Sequence, residues 1–170
     1  MSTEHVERAR AGDVEAFDLL VGSQLDALLR IAAAIVLDPD AAQDVVQDSL
    51  VKAWRHLPDL RAADAFDAWL RRIVVNTARN AARRRRRVRA IAPQTLAGEA
   101  QGLDDRVAIG EALEGLDVDH RTVVALHYLD DRPIDAIAQL LGIPSGTVKS
   151  RLHTARSRLR AALEERDGRA

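Results

Sequence analysis

The chain has 170 residues and a net charge of −1, and its 47% hydrophobic content includes only 3% aromatic residues, so the apolar mass is Ala, Leu, Val and Ile. That is enough core for one domain or two small ones, and it suits packed helices. Cysteine is absent, which excludes disulfides, thiolate metal sites and thiol redox sensing.

The charge is unevenly spread. Residues 1–67 carry 13 acids against 6 bases, whereas residues 68–98 carry 9 arginines and no acid. Residues 99–135 return to 10 acids and 3 bases, and residues 136–163 hold five bases and no acid. Two basic blocks separated by acidic surface predict two anion-binding faces on one chain.

The opening stretch, "MSTEHVERARAGD", lacks the apolar core of a signal peptide, and the longest apolar run, residues 31–37, is too short to span a bilayer. The expected location is therefore the cytoplasm, with no membrane insertion by this chain. Asp13 is placed to cap a long helix running to about Leu37, with Phe17, Leu20, Leu28 and Ile35 on its apolar face. Asp38 is the natural N-cap of the next helix, with Pro39 at its first position, where a missing N–H costs nothing. Val46, Leu50, Ala53, Trp54 and Leu57 form its buried stripe, and Asp44, Gln47, Asp48 and Arg55 lie on another side.

"HLPDLRAAD" reads as a loop, after which Asp64 is expected to cap a helix that buries Phe66, Leu70, Ile73, Thr77 and Ala81. Within "RRIVVNTARNAARRRRRVR", residues 71–89, Arg72, Asn76, Arg79 and Arg83 then line one flank of that helix. A random basic tail would not keep this register, so Arg72, Arg79 and Arg83 read as a phosphate-holding face. Arg84–Arg89 read as a looser cationic arm entering the linker. Trp69 reads either as a platform for stacking a base or as core filler, core being the commoner fate of a lone Trp, and Asn80 reads as structural.

Residues 88–105 contain Pro, two Gly and weak periodicity, and read as a flexible linker that spans on the order of 60 Å when extended. A helix is expected from about Asp105 to Leu116, and Asp117 caps another that reaches about Tyr128. Ile134, Ile137, Ala138 and Leu141 make a short buried stripe, Gly142 a turn, and Ser145 a cap for a last helix with Val148, Leu152, Ala155 and Leu159 inward. This is a helix-turn-helix. Thr147, Lys149, Ser150, Arg151, His153 and Thr154 are its candidate DNA-contacting residues, since such a helix reads base edges from its N-terminal half while flanking arginines hold phosphates.

Catalytic and cofactor motifs are missing. The five histidines have no HExxH-type spacing, there is no GxxxxGK[ST], GxGxxG or GxSxG, and Asp130–Asp131 reads as turn chemistry. No enzyme activity, metal or cofactor is expected. The fold expected is all-α: a first domain over 1–87, a linker over 88–105, and a helix-turn-helix domain over 106–170.

Four blocks in order, "GDVEAFDLLV", "DAAQDVVQDSLVKAW", "AFDAWLRRIVVNTARN" and "IDAIAQLLGIPSGTVKSRLHTARSRL", resemble bacterial RNA polymerase sigma factors of the extracytoplasmic-function class. The resemblance covers nearly the whole chain. It implies that the first domain binds the clamp helices of core RNA polymerase, with Asp44, Gln47 and Asp48 as contacts, and the minus-ten promoter element. By motif position Asn76 would sit in the pocket for a flipped non-template base, with residues 60–65 as its wall. The second domain would read the minus-thirty-five element. Thr154 departs from the family pattern, standing where many members carry another arginine. An anti-sigma factor is the regulator the resemblance implies. The implied function is a transcription initiation factor that directs promoter recognition and melting. A stand-alone helix-turn-helix regulator is the alternative, and a protein whose basic faces bind an acidic partner is a third.

Overall fold

The computed structural model describes residues 3–91, 110 and 112–167, and the regular elements among them are helices. A first short helix, α1 (Thr3–Arg10), was not apparent from periodicity; it buries only Val6 and Ala9. Gly12, at φ 96°, turns the chain in a left-handed conformation that glycine adopts without strain. Asp13 then caps α2 (Val14–Gly22) by accepting from the Ala16 amide at 3.1 Å, and Arg8 holds its other oxygen.

The single helix expected from Asp13 to Leu37 is instead two, α2 and α3 (Leu25–Val36), bent by 62°. The break has a local cause. The Ser23 hydroxyl and the Gln24 side-chain amide both donate to the Leu20 carbonyl, and the Gln24 backbone amide turns to Val21, so the next turn cannot propagate. The α3 helix ends at Leu37 with φ 57°. Asp38 caps α4 (Pro39–His56) through the Ala41 amide at 2.9 Å, with Pro39 in the first turn as expected.

The α4 helix buries Ala42, Val45, Val46, Ser49 and Ala53, leaves Leu50 and Trp54 half-buried, and exposes Asp44, Gln47, Asp48 and Arg55. Residues 56–65 contain two 3-10 turns, Leu57–Asp59 and Ala63–Ala65. Asp64 lies inside the second turn instead of capping the helix that follows. That helix, α5 (Phe66–Ile91), runs 26 residues and carries Arg84–Arg89 in helical form, four residues into the stretch read as linker. Its buried face is Phe66, Leu70, Val74, Val75, Ala78 and Ala82, turned from the expected one, so that Ile73, Thr77 and Ala81 are only half-buried. Asn80, expected near the apolar face, is exposed.

α3, α4 and α5 pack on one another around Leu28, Ile31, Ile35, Phe66 and Leu70, all fully buried. Phe17 meets Trp54 edge-on at 5.1 Å and Phe66 at 6.5 Å, while Trp69 lies half-buried beside Phe66 at 6.0 Å. Of the helix expected from Asp105 to Leu116, residues 110 and 112–114 are helical and the rest of the stretch up to 111 lies outside the described residues, as does most of the expected linker.

Asp117 caps α6 (Val118–Tyr128) by accepting from the Asp119 and His120 amides, both at 3.0 Å. The turn to α7 (Ile134–Leu141) passes through Asp131 at φ 50°. Gly142, at φ 65°, ends α7 with its amide bonded to the Ala138 carbonyl, the left-handed C-cap that a helix-turn-helix bend requires. The last helix, α8 (Ser145–Asp167), begins at Ser145, and the Pro144 carbonyl accepts from the Thr147 and Val148 amides, so Ser145 is its first residue and not its cap. Val148, Leu152 and Ala155 face inward and Leu159 is half-buried.

The two groups of helices touch. α3 packs on α6, and α5 packs on α6 and α7, so that buried residues of both groups form one continuous cluster. Among the described residues no single helix is long and apolar enough to cross a membrane.

Candidate nucleic-acid interface

Two arginine-bearing helix faces are the chemically distinctive surfaces. On α8, Lys149, Ser150 and His153 are exposed, while Thr147, Arg151 and Thr154 are half-buried. Lys149 and the His153 ring have no side-chain partner among the described residues, so their donors point to solvent. Farther along, Arg156 donates to the Tyr128 hydroxyl and its guanidinium lies 5.6 Å from the Tyr128 ring centre, a cation–π contact that pins α8 to the end of α6.

On α5 the flank expected from helical phase exists: Arg72, Asn76 and Arg83 are exposed and Arg79 is half-buried. Its arginines, however, are engaged with the second group of helices. Arg72 donates to the Gln139 carbonyl at 2.6 Å and to the Leu140 carbonyl at 3.2 Å, a guanidinium at the negative end of α7. Arg79 and Arg83 reach the same Asp119 oxygen at 2.7 and 2.8 Å, and Arg151 of α8 reaches its other oxygen at 3.2 Å. Burial pushes the Asp119 carboxyl up, but the hydrogen bond from Arg79 and the charges of Arg79, Arg151 and Arg83 outweigh it and hold the group below the usual carboxylate range. Asn76 stands between Arg72 and Arg79 on this flank. Leu60 is buried, so of residues 60–65 the stretch 61–65 is what faces outward.

A second ionic cluster lies behind the flank. Arg71, 8% exposed, donates to Asp130, 5% exposed, at 2.9 Å, and also to Gln24 and Asp67. Arg132 adds a second cation on Asp130 at 3.0 Å. A pair this dry is stable only because each charge has several partners.

Asp119, Gln24 and Arg71 were not singled out in sequence, and Asp130, read there as turn chemistry together with Asp131, is instead the buried partner of Arg71 and Arg132 while Asp131 makes the turn. Asp119 follows the Asp117 cap by two positions, and an acid in the first turn of a helix is already accounted for by the helix dipole. The polar partners of Arg71 at Gln24 and Asp130 are 47 and 59 residues distant, beyond any local pattern. The two histidines of α6 are local: His120 bonds the Asp117 carboxylate and His127 the Arg132 carbonyl. Among the described residues no group of His, Cys, Asp and Glu is arranged to hold a metal.

Asp44, Gln47 and Asp48 form a separate polar patch on α4. The structure thus holds the two arginine faces near one another, across Asp119, and leaves the α4 patch apart from that ionic node.

Comparison with known proteins agrees with the four sequence blocks. Residues 20–88 match the family described as Sigma-70 region 2, and residues 106–159 match Sigma-70, region 4. The chain is 37% identical over 164 residues to the RNA polymerase sigma-E factor of Streptomyces avermitilis, covering 92% of this chain and 89% of that one. It is 34% identical over 170 residues to the ECF RNA polymerase sigma-E factor of Salmonella typhi, covering 89% and 88%. Among solved structures it is similar to CnrH in complex with the cytosolic domain of CnrY, with a TM-score of 0.76 at 29% identity over 96% of this chain and 97% of that one. It is also similar to the sigma factor RpoE in complex with the anti-sigma factor NepR from Bartonella quintana, with a TM-score of 0.68 at 28% identity over 86% and 98%. With both regions matched in order, and with relatives above 30% identity spanning nearly the full chain, the protein belongs to the sigma-70 family of RNA polymerase sigma factors, in its extracytoplasmic-function class.

Proposed function

We propose that this chain recruits core RNA polymerase and directs it to recognise and melt selected promoters, as a transcription initiation factor and not an enzyme. The observation that carries the reading is that the region 2 and region 4 matches fall on two groups of helices, each presenting its own arginine-bearing face. In this reading the domains span 1–87 and 106–170, joined by 88–105. The exposed Asp44, Gln47 and Asp48 of α4 contact the polymerase clamp helices.

Arg72, Arg79 and Arg83 hold phosphates of the minus-ten element. The Asn76 amide, with donor and acceptor on one short side chain, reads the edge of a flipped base. Extruding a base costs a few kcal/mol, which neighbouring phosphate contacts offset. On α8, Lys149, Ser150 and His153 address base edges of the minus-thirty-five duplex, and Thr147, Arg151 and Thr154 flank them. With Thr154 in place of an arginine, one phosphate or base contact is lost there.

The partners are core polymerase, promoter DNA and an anti-sigma protein, the last supported by likeness to RpoE, which was solved with the anti-sigma factor NepR. The place of action is the cytoplasm. A stand-alone regulator is not favoured, because it would leave the match over residues 20–88 without a role. Adding the purified chain to core polymerase on genomic DNA and sequencing transcript 5′ ends tests the reading. Starts clustered downstream of two shared elements are expected, and no starts above those of core polymerase alone would sink it.

A further inference from the structure

Beyond the flank of Arg72, Asn76, Arg79 and Arg83, α5 borders a cleft of about 480 Å3 that the proposed function leaves unused. Arg85 and Arg86 of α5, Arg121 of α6 and Arg158 of α8 line it, with Glu114 and Asp117 in the turn before α6. Past Arg86 it continues into a second hollow of about 430 Å3, bordered by Arg83 and Arg87.

Among the described residues, four guanidinium groups face two carboxylates across the first cleft, so its interior is electropositive. Asp117 is already committed to capping α6 and to His120, which leaves Glu114 as the one uncommitted acid in this lining. Of the cations, Arg85 is paired with Asp38, and buried Arg121 donates to the Leu116 carbonyl. Arg86 and Arg158 are exposed, and neither has a side-chain partner among the described residues. Two unspent planar donors on two helices suit a group that carries several charged oxygens.

We propose that this cleft binds a free nucleoside polyphosphate, its phosphates held by Arg86 and Arg158 and its base resting on the apolar floor at Leu37 and Ala82. The size fits, since sites for small molecules run from about 300 to 1,000 Å3. The apolar floor favours a nucleotide over inorganic phosphate, which would leave it bare. A duplex carries its phosphates on convex ridges and meets only the rim of such a hollow, whereas a mononucleotide enters it. The site stands independently of the sigma-factor reading, and its test uses neither promoter nor polymerase.

The full chain is titrated with ATP at fixed ionic strength and without divalent cations. Equilibrium dialysis gives the affinity, and a rise in Tm reports a ligand of the folded state. One saturable site is expected for ATP, weaker binding for pyrophosphate and none for adenosine. Arg86→Gln and Arg158→Gln should each weaken ATP by about tenfold. Arg84→Gln combined with Arg160→Gln removes the same charge from the same two helices outside the cleft and should change ATP affinity by less than about twofold. Glu114→Gln removes a carboxylate that repels phosphate and should tighten ATP by about threefold. All five positions are exposed, so none of these changes touches the core.

Phosphate also reaches basic surfaces on DNA, so the same variants are titrated with a short single-stranded oligonucleotide. The nucleotide is the occupant if Arg86→Gln and Arg158→Gln weaken ATP more than the oligonucleotide. An equal or larger loss for the oligonucleotide would assign these arginines to DNA and overturn the proposal. Binding of ATP that never saturates, equal losses in the cleft and control variants, or weaker binding by Glu114→Gln would overturn it as well.

Discussion

The two arginine faces of this protein differ in what already occupies them. On α8, Lys149 and His153 are unpartnered among the described residues and only Arg151 is drawn into an ion pair. On α5 every flank arginine, Arg72, Arg79 and Arg83, has an acceptor supplied by the other half of the chain. The contrast shows that counting basic residues measures the capacity of a surface for nucleic acid and not its availability. An exposed cation meets DNA at the cost of its counterions alone, whereas a paired one must first break an internal bond. The outward residues of α8 stand open to solvent, whereas the arginines of α5 are tied into the other half of the chain.

Removing the buried anchor should break that contrast most strongly. Arg71→Ala leaves Asp130, only 5% exposed, with Arg132 as its remaining cation. Breaking one side of a buried pair costs about 3 kcal/mol, and here the cost is relieved by undocking α6–α8 so that Asp130 meets water. Denaturant unfolding should change from one transition to two, with the α6–α8 part melting first. A single transition at the wild-type midpoint would mean that the two groups of helices do not depend on this pair.

A smaller effect should sharpen the contrast. Lys149→Ala is expected to weaken duplex binding of the free chain by about 1 kcal/mol and to lower the salt slope by roughly one phosphate contact. Under the proposed function, Arg83→Ala removes a phosphate ligand but also loosens Asp119, so in the free chain its two effects oppose and the net change is small. With core polymerase present, Arg83→Ala should weaken every promoter alike. Equal losses for both variants in the free chain would erase the difference between the faces. Salt-dependent binding titrations, with and without polymerase, separate these outcomes.

Much of the fold was legible because its determinants are local. Asp38–Pro39 and Asp117 act within three residues of themselves, and Gly142 makes its turn where a left-handed residue was needed. The α8 face and the exposed patch on α4 follow from helical phase alone. The failures are of two kinds. At Ser23 and Gln24, side chains competing for backbone acceptors ended a helix whose apolar pattern ran straight through them. On α5, the expected stripe of Ile73, Thr77 and Ala81 gave way to Val74, Val75, Ala78 and Ala82, because a helix with neighbours on several sides buries a wide arc and the centre of that arc is set by packing. The ion pairs on Asp119 were not legible. Arg79 and Asp119 are 40 residues apart, and nothing in either neighbourhood announces the other. Sequence showed two basic blocks with acid between them, which is compatible with faces held apart or with faces tied to that acid.

The smallest expected effect concerns pH, and its sign follows from the Asp119 carboxyl. Facing it are Arg79 and Arg83 of α5 and Arg151 of α8, with Arg86 and Arg87 along the same cleft and Asp117 and His120 in its own turn. Its folded value lies below the ordinary one, so its contribution is fully present above about pH 4 and is lost as pH falls through the folded value. Because Asp119 is partly exposed, that contribution should stay under about 1 kcal/mol. Asp13, Asp38 and Asp117 are also held low and weaken the fold in the same window, but they are common to wild type and Asp119→Asn and cancel in the difference. The stability gap between those two chains should therefore be constant from pH 7 to about pH 5 and close toward pH 3. A gap that widened on acidification would mean that Asp119 is better accommodated neutral than ionised, against the three guanidinium groups that hold it.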